Sequence, residues 1–273
     1  KGRPGWHIEC SAMIRRHLGD QIDIHTGAVD LVFPHHTNEI AQAEGVTGKH
    51  PFVRFWFHRG FLNVENEKMA KRVGNVFALA DVAASDLEVL AFRWLIVSSH
   101  YRTSLNFTAQ SMPGAKAALG RLLATADRLE AWETKGATAD SASVAATVET
   151  ARGAFISAMD DDLNTPAAAA ALFEAVKLAE RPELSRGDAL LISEFFSQAD
   201  AVFGVIAVGL PLWRAATIRS LSANEAVTLD KLEAARAAKN FEEADALREE
   251  LLKQGIEVRN TPQGTVWQRD PFR

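Results

Sequence analysis

Three residues in the first part of the chain have side chains that could bind one metal ion. Cys10 is the only cysteine of the 273 residues, and a cysteine thiolate is a strong ligand for zinc. His35 and Glu39 are four residues apart, so on a helix both side chains project from one face. Sulfur, nitrogen and oxygen ligands together suit Zn²⁺, a borderline-soft cation. Three protein ligands would leave such an ion one open position.

The same three residues also have a structural interpretation. A lone cysteine is often a small buried hydrophobic residue. Adjacent histidines beside a proline, as His35 and His36 are after Pro34, often have structural roles. Spacing alone leaves both interpretations open.

A second segment, Lys68-Met69-Ala70-Lys71-Arg72, could bind phosphate. Two lysines three residues apart, followed by a flexible Gly74-Asn75 pair, can surround a polyphosphate. Positive charge placed where negative charge develops lowers the barrier to a reaction at phosphate. A solvated surface loop is the alternative interpretation of any such basic stretch.

Composition places the chain among ordinary soluble globular proteins, with 47% hydrophobic and 24% charged residues. It contains no run of about 18 apolar residues and no visible secretion signal, so we expect a cytoplasmic protein with no membrane partner. A single cysteine excludes an internal disulfide. The net charge is −5, but residues 1–80 carry 10 Lys and Arg against 8 Asp and Glu. Charge therefore does not decide whether nucleic acid is bound.

The elements that must position these residues change in character along the chain. Residues 1–82 are predicted to form an α/β layer with a partly parallel sheet. Strands are expected at 22–24, 31–33 and within 52–64, and a helix starting at Pro34 should carry Glu39 and end at Gly45.

Residues 83–220 are predicted to form a helical bundle, and residues 221–273 a small helix-plus-hairpin module. Helices are expected at about 109–132, 141–159, 165–179, 187–204 and 222–254. Breaks are expected at 134–140, 160–164, 181–182 and 209–211, and the hairpin strands at 256–259 and 265–268. Asn164-Thr165-Pro166 is typical of a helix start.

The segments that carry the candidate side chains resemble the cysteinyl-tRNA synthetases, which are class I aminoacyl-tRNA synthetases. The resemblance is strongest in residues 2–107, and the matching segments are 2–11, 23–42, 68–75, 93–107, 159–166 and 260–267. It implies an α/β fold, the second half of a Rossmann-like class I synthetase catalytic domain. An all-α anticodon-binding bundle and a small α+β C-terminal module would follow.

The resemblance implies that Cys10, His35 and Glu39 bind zinc. A further cysteine ligand of the family comes from an N-terminal half, and this sequence has no second cysteine. Such a site selects a thiol, because zinc binds a thiolate directly and a serine hydroxyl far less well. Pocket shape alone separates near-isosteres by only about 10–200-fold.

The resemblance also places Trp6, His25 and Asp30 beside the bound amino acid. Packing or a capped loop is the alternative for Trp6 and His25. An aspartate buried in an apolar run needs a partner, so Asp30 calls for a substrate ammonium group or a backbone donor. His7 and His36 are expected to be structural or to support the metal ligands.

Lys68, Met69 and Lys71 match the mobile lysine loop of class I synthetases, usually written KMSKS. The resemblance implies that they bind ATP, with Mg²⁺, and that Lys71 is the catalytic residue. Ala70 and Arg72 stand where the family has serine.

The activity implied is that of a cysteine–tRNA ligase, with cysteine, ATP and tRNA(Cys) as partners. No His-Ile-Gly-His-like motif is present, so we expect this chain alone to be inactive and to need an N-terminal catalytic half, if that half exists separately. The alternatives are a related cysteine-adenylating ligase of mycothiol synthesis, a non-catalytic tRNA-binding module and a purely structural fragment. The C-terminal segment 263–267 argues against the first. Trp267, Arg259 and Arg269 could contact the anticodon, or Trp267 could close the core of the small module.

Overall fold

The computed structural model describes residues 4–131, 141–181, 184–217, 221–261 and 264–272. The chain divides into two compact units. The first comprises Lys1–Val76 with Ser99–Thr108, and the second comprises Phe77–Ser98 with Ala109–Arg273. The three-domain division at residues 82 and 220 remains a prediction.

The first unit alternates helix and strand: α1 (Trp6–His17), β1 (Ile22–Ala28), α2 (Thr37–Thr47) and β2 (Val53–Arg59). Strands β1 and β2 pair in parallel, as the alternation predicts. A small apolar core is made of Ile14, Ile22, Phe52 and Val53. These four elements form the framework of the candidate metal site.

The two faces of the β1–β2 pair differ in what covers them. His25 and Trp56 lie opposite each other and face the histidine-rich site. Ile24 and Phe55 lie opposite each other on the other face and are 64% and 68% exposed. Parallel sheets are normally covered on both faces. This face is therefore exposed at Ile24 and Phe55, while Ile22 and Val53 at the start of the two strands are buried.

A second small sheet supports the lysine loop. Strand β3 (Leu62–Val64) pairs antiparallel with β4 (Glu67–Lys68) and parallel with β5 (Leu105–Phe107). Glu65 and Asn66 connect β3 and β4 with positive φ values, as the tight turns of two-residue hairpins require. The hairpin therefore places Lys68 on a fixed strand.

The second unit is a helical bundle, as predicted. Its helices are α3 (Leu79–Val82), α4 (Asp86–Val97), α5 (Ser111–Glu130), α6 (Ala142–Asp160), α7 (Thr165–Ala179), α8 (Arg186–Phe203) and α9 (Ile206–Thr217). Leu119, Leu172, Ile192, Phe195 and Phe203 are fully buried in its core. Within the described ranges no single helix is long and apolar enough to cross a bilayer; α8 and α9 together pass that test but are bent by 107°.

The end of the chain forms the predicted helix-plus-hairpin module, with α10 (Ala223–Ala237), α11 (Phe241–Lys253), β6 (Ile256–Thr261) and β7 (Gly264–Arg269). The two strands pair antiparallel. The module has its own core, which includes Leu232, Leu251, Ile256 and Val258. Trp267 packs against this core, while the Arg259 side chain lies outside the described part.

Two element predictions in this bundle and module are corrected. The single helix at 222–254 is two helices, because Lys239 has a left-handed φ of 57° and the Asn240 side chain then caps α11. The break at 209–211 is wrong, since α9 continues through Pro211. The chain turns earlier instead, at Gly204, whose φ is 62°.

The predicted break at 160–164 is confirmed, and Asn164 caps the helix α7 that follows it. The predicted breaks at 134–140 and at Pro182 lie outside the described residues.

Two element predictions in the first unit are also corrected. Residues 31–33 are not a strand; they lie in short helical turns, Val29–Leu31 and Val32–His36. Helix α2 ends at Thr47, with the left-handed Gly48 after it, so Gly45 does not stop it. The apolar run at 31–33 was mistaken for a buried strand, although Val32 and Phe33 are exposed.

An ion pair between Glu225 and Arg269 ties α10 to β7 within the C-terminal module. The Arg269 guanidinium donates to both Glu225 carboxylate oxygens, at 3.1 and 2.8 Å. These hydrogen bonds, together with one from the Ser222 backbone N–H, lower the pKa of Glu225 to about 2. Because this folded-state pKa lies below the ordinary 4.5, the stabilisation is fully present above about pH 4.5 and is lost as the pH falls towards 2.

We expect Glu225→Gln to lower the free energy of unfolding by about 1–3 kcal/mol at pH 7, because a charge-assisted hydrogen-bond pair is lost. The difference from the native chain should disappear near pH 2, as measured by urea unfolding followed by circular dichroism. Glu233→Gln, at an exposed position of α10, is the control and should change stability by less than about 0.5 kcal/mol. A pH-independent difference would contradict this assignment.

Candidate metal centre and lysine loop

The three predicted metal ligands come from three consecutive parts of the first unit. Cys10 lies in α1, His35 in the turn before α2, and Glu39 in the first turn of α2. One ligand atom from each lies within 4.8 Å of the other two. Glu39 is completely buried and His35 is 4% exposed. The structure thus brings the three predicted side chains together, with His35 and Glu39 buried and Cys10 partly exposed.

The Glu39 carboxylate is the most unusual group of this site. Its Oε1 lies 2.6 Å from His35 Nε2 and its Oε2 lies 3.1 Å from His25 Nε2. Neither oxygen, however, has a hydrogen-bond partner of acceptable geometry in the described part of the chain. Burial raises the pKa of Glu39, and the nearby Cys10 thiol offsets that rise only in part. A buried carboxylate without a partner is costly.

The thiol beside this carboxylate experiences the same environment. Burial raises the pKa of Cys10, and the negative charge of Glu39 raises it further. A divalent cation favours both the thiolate and the carboxylate, so it would reverse both effects. The orphaned oxygens and the mixed sulfur, nitrogen and oxygen donor set therefore fit a zinc ion.

His35 is oriented by a second histidine. The Nδ1 atoms of His7 and His35 lie 2.8 Å apart, so the other nitrogen of His35, Nε2, is the one that faces Glu39. Such a contact to the distal nitrogen is the usual way in which a ligand histidine is oriented. The Trp6 ring lies 4.1 Å from the His35 ring and is 56% exposed. Trp6 therefore lies at the solvent-exposed edge of the site, with its ring against His35.

A cluster of rings on the same side of the sheet was missed in the sequence. His36 is 3% exposed, its Nδ1 lies 2.8 Å from His58 Nε2, and the Trp56 ring lies 4.8 Å away. His25, His36 and Glu39 also bring ligand atoms within 4.8 Å of one another. The sequence contained a sign of this cluster, because Trp56 and His58 are two residues apart on β2. Residues with that spacing project from the same face of a strand.

Close packing of His36 depends on a glycine in β1. A Cβ atom at Gly27 would lie 2.6 Å from His36 Cε1, so any larger residue would displace the ring. Burial, together with the neighbouring His25, lowers the pKa of His36 to about 4. Burial also lowers the pKa of His25, His35 and His58. The cluster is therefore a set of neutral imidazoles at neutral pH.

The premise that Asp30 is buried was wrong. It lies in the turn Val29–Leu31, its side chain is 53% exposed, and its Oδ2 is 3.4 Å from Lys68 Nζ. The apolar run that suggested burial forms helical turns with exposed side chains. Asp30 does have a partner, but this partner is Lys68 of the lysine loop.

The lysine loop is closed by Asn75. The Ala70 backbone N–H donates to Asn75 Oδ1 at 2.9 Å, and Asn75 Nδ2 donates to the Lys68 carbonyl at 3.3 Å. Gly74 has a left-handed φ of 76°, which turns the chain back. Lys71 lies at the exposed tip of this loop.

Comparison with known proteins agrees with this arrangement. Residues 1–117 match the family described as "tRNA synthetases class I (C) catalytic domain", and residues 154–207 match the DALR domain. The chain is 42% identical over 280 residues to the cysteine–tRNA ligase of Symbiobacterium thermophilum, covering 98% of this chain and 57% of that protein. The chain belongs to the cysteine–tRNA ligase family.

Other relatives give the same result. The cysteine–tRNA ligase of Lachnospira eligens is 39% identical over 273 residues, and that of Halalkalibacterium halodurans is 40% identical over 286 residues. Each alignment covers 98% of this chain, and the chain spans 56% and 57% of the two relatives. In this member of the cysteine–tRNA ligase family, part of a class I catalytic domain is followed by a helical DALR domain, which confirms the predicted fold class.

The depressed pKa of His36 gives this cysteine–tRNA ligase family member a testable pH dependence. Its value of about 4 lies below the ordinary 6.5, so the unfolded chain binds the proton first and stability falls as the pH drops from about 6.5 towards 4. We expect His36→Gln to remove up to about 3 kcal/mol of that pH-dependent loss. Urea unfolding in EDTA at pH 7 and pH 4.5 measures it.

The matched control is His17→Gln, which changes an exposed histidine at the end of α1. This control should retain the full pH-dependent loss of the native chain. An identical loss in His36→Gln and the native chain would show that His36 is not held neutral by the fold.

Proposed function

We propose that this chain is the part of a cysteine–tRNA ligase that selects cysteine by its thiol and contributes to its ATP-dependent activation. The full reaction joins cysteine and ATP to form cysteinyl adenylate and transfers the cysteinyl group to tRNA(Cys). The observation that carries the proposal is the convergence of Cys10 and His35 on the unpartnered carboxylate of Glu39. Because the chain spans little more than half of its relatives, we expect it to be inactive by itself.

Cys10, His35 and Glu39 would hold Zn²⁺, with His7 fixing the orientation of His35. When bound, zinc supplies a direct bond to the substrate thiolate, which a hydroxyl group of the same size does not match. The buried position of Glu39 excludes water from one side of the site and so strengthens electrostatic contacts there.

Three further side chains would contact the amino acid. Asp30 presents an exposed carboxylate that can accept a substrate ammonium group, and Trp6 offers an exposed ring beside His35. His25 lies next to the Glu39 carboxylate, with its Nε2 at 3.1 Å from Oε2. A neutral imidazole at this position can donate one hydrogen bond without adding charge.

The lysine loop would bind ATP together with Mg²⁺. Lys68, Met69 and Lys71 are the proposed contacts, and Lys71 is the proposed catalytic residue, since it lies at the exposed tip where it can reach a phosphate. Its positive charge would stabilise negative charge that develops on the phosphates during adenylyl transfer.

The helical bundle and the C-terminal module would bind the tRNA. In the module, Trp267 packs on the apolar core and Arg269 is paired with Glu225, so both have structural roles that compete with base contacts. The DALR match and the cysteine–tRNA ligase relatives support this function over a cysteine-adenylating ligase of mycothiol synthesis. A cytoplasmic location belongs to the same proposal.

A contact with the rest of a class I catalytic domain is part of the proposal. The apolar pair Ile24 and Phe55 leaves one face of the parallel β1–β2 sheet exposed, where such sheets are normally covered by helices. The relatives contain a large region that this chain does not span. We propose that a polypeptide equivalent to that region covers this face.

The zinc proposal predicts opposite behaviour of two glutamates on α2. Zinc added to the EDTA-treated native chain should raise its stability, by about 2.7 kcal/mol when free zinc is about 100 times its Kd. Glu39→Gln and Cys10→Ala should lose this stabilisation. Glu44→Gln should keep it, because Glu44 contacts His50 and the Phe52 N–H at the far end of the helix. Thermal unfolding with and without zinc measures the effect.

Metal analysis of the same four proteins provides the second readout. We expect close to one zinc per native chain and per Glu44→Gln chain. Equal zinc content and equal stabilisation in Glu39→Gln and the native chain would contradict the proposed ligand set.

The proposed sheet contact predicts that Phe55 and Phe241 behave differently, although both are exposed phenylalanines, at 68% and 67%. The binding probe is the region of the Symbiobacterium thermophilum ligase that this chain does not span. Phe55→Thr should weaken its binding about tenfold, because an apolar side chain leaves the interface. Phe241→Thr, in the C-terminal module, should bind like the native chain. Calorimetric titration measures the affinities, and equal effects would contradict the contact.

A further inference from the structure

Lys68 is held between an aromatic ring and a carboxylate. Its Nζ lies 3.6 Å from the centroid of the Phe61 ring and 3.4 Å from Asp30 Oδ2. A cation over an aromatic face is attracted by the electron density of the ring. Two independent contacts therefore define where this ammonium group lies.

Phe61 is a rigid platform for this contact. Its backbone N–H donates to Ser104 Oγ at 3.2 Å, and its carbonyl accepts from the Leu105 N–H at 2.9 Å. Lys68 lies on β4, paired with Asn63 of the adjoining strand β3. The backbones of both residues are thus held by hydrogen bonds, which places the Phe61 ring within reach of the Lys68 side chain.

We propose that Phe61 is a positioning residue of the lysine loop, which holds Lys68 beside Asp30 until a substrate ammonium group takes that carboxylate. This inference rests on the proposed function, because it takes Asp30 as the site of the substrate ammonium and Lys68 as a phosphate ligand. With Lys68 beside Asp30, its ammonium group is not available to a phosphate.

The charges explain why the two ligands are coupled. An ammonium group bound to Asp30 neutralises the carboxylate and repels the Lys68 ammonium beside it. Lys68 is then available for the phosphates of ATP. Because such coupling is reciprocal, phosphate bound to Lys68 would also favour binding of the amine.

The solvent exposure of Lys68 and Asp30 explains why the contact that positions Lys68 is reversible. The Lys68 and Asp30 side chains are 55% and 53% exposed, so solvent screens their attraction. The contact with Phe61 is of the same modest strength at an exposed site. We therefore expect a coupling of about threefold to tenfold in affinity, rather than an all-or-none switch.

The first experiment detects the hold without any ligand. In a carbon–proton NMR spectrum of the chain labelled in its lysines, the ε-methylene signal of Lys68 should be shifted upfield by the Phe61 ring current. Lys68→Arg assigns the signal. Phe61→Tyr keeps a ring and should keep the shift, whereas Phe61→Leu should abolish it. A Lys68 signal at the position of exposed lysines in the native chain overturns the proposal.

The second experiment tests the coupling in the zinc-loaded chain with L-cysteine and with 3-mercaptopropionate, which has the thiol and carboxylate but no ammonium group. Cysteine should move the Lys68 signal and tighten inorganic tripolyphosphate binding about threefold to tenfold. Mercaptopropionate should do neither. In Phe61→Leu, tripolyphosphate should bind more tightly than it does to the native chain before cysteine is added. Cysteine should then tighten it less than in the native chain, because only the Asp30 contact still holds Lys68.

The failure of this inference can be distinguished from failure of the proposed function. Cysteine that binds without moving the Lys68 signal, or a mercaptopropionate effect equal to that of cysteine, overturns the coupling. Absence of cysteine binding counts instead against the proposed function, while the ring-current measurement still tests the hold by Phe61.

Discussion

The buried carboxylate of Glu39 is the constraint on which the arrangement of the first unit depends. It is completely inaccessible to solvent, and both of its oxygens lie close to imidazole nitrogens without hydrogen bonds of acceptable geometry. A fold that leaves a carboxylate in this state is stabilised when a cation joins it. Helix α1, strand β1 and the turn before α2 each place a side chain beside this carboxylate.

The framework around Glu39 is built from two helices and one pair of strands. Helix α1 supplies Cys10, the turn before α2 supplies His35, and the parallel pair supplies His25. The neutral histidine cluster behind them fills the space with rings that carry no competing positive charge. Asp30 pairs with Lys68, so the proposed amino-acid contact and the proposed phosphate loop are neighbours.

The sequence predicted what depends on short-range spacing and missed what depends on tertiary contacts. The i, i+4 spacing of His35 and Glu39 and the capping of α7 by Asn164 were predicted because they are local. The exposure of Asp30 was not, since an apolar run reads equally as a strand or as helical turns. The pairing of Lys68 with Asp30 joins residues 38 positions apart, and no pattern in one sequence reports such a contact.

The central claim is that Cys10, His35 and Glu39 bind one zinc ion, and zinc X-ray absorption spectroscopy of the purified chain tests it most directly. The account predicts one sulfur neighbour at about 2.3 Å and nitrogen or oxygen neighbours at about 2.0–2.2 Å. The sulfur neighbour should vanish in Cys10→Ala. Zinc surrounded only by nitrogen and oxygen in the native chain, or a spectrum unchanged by that substitution, would contradict the account.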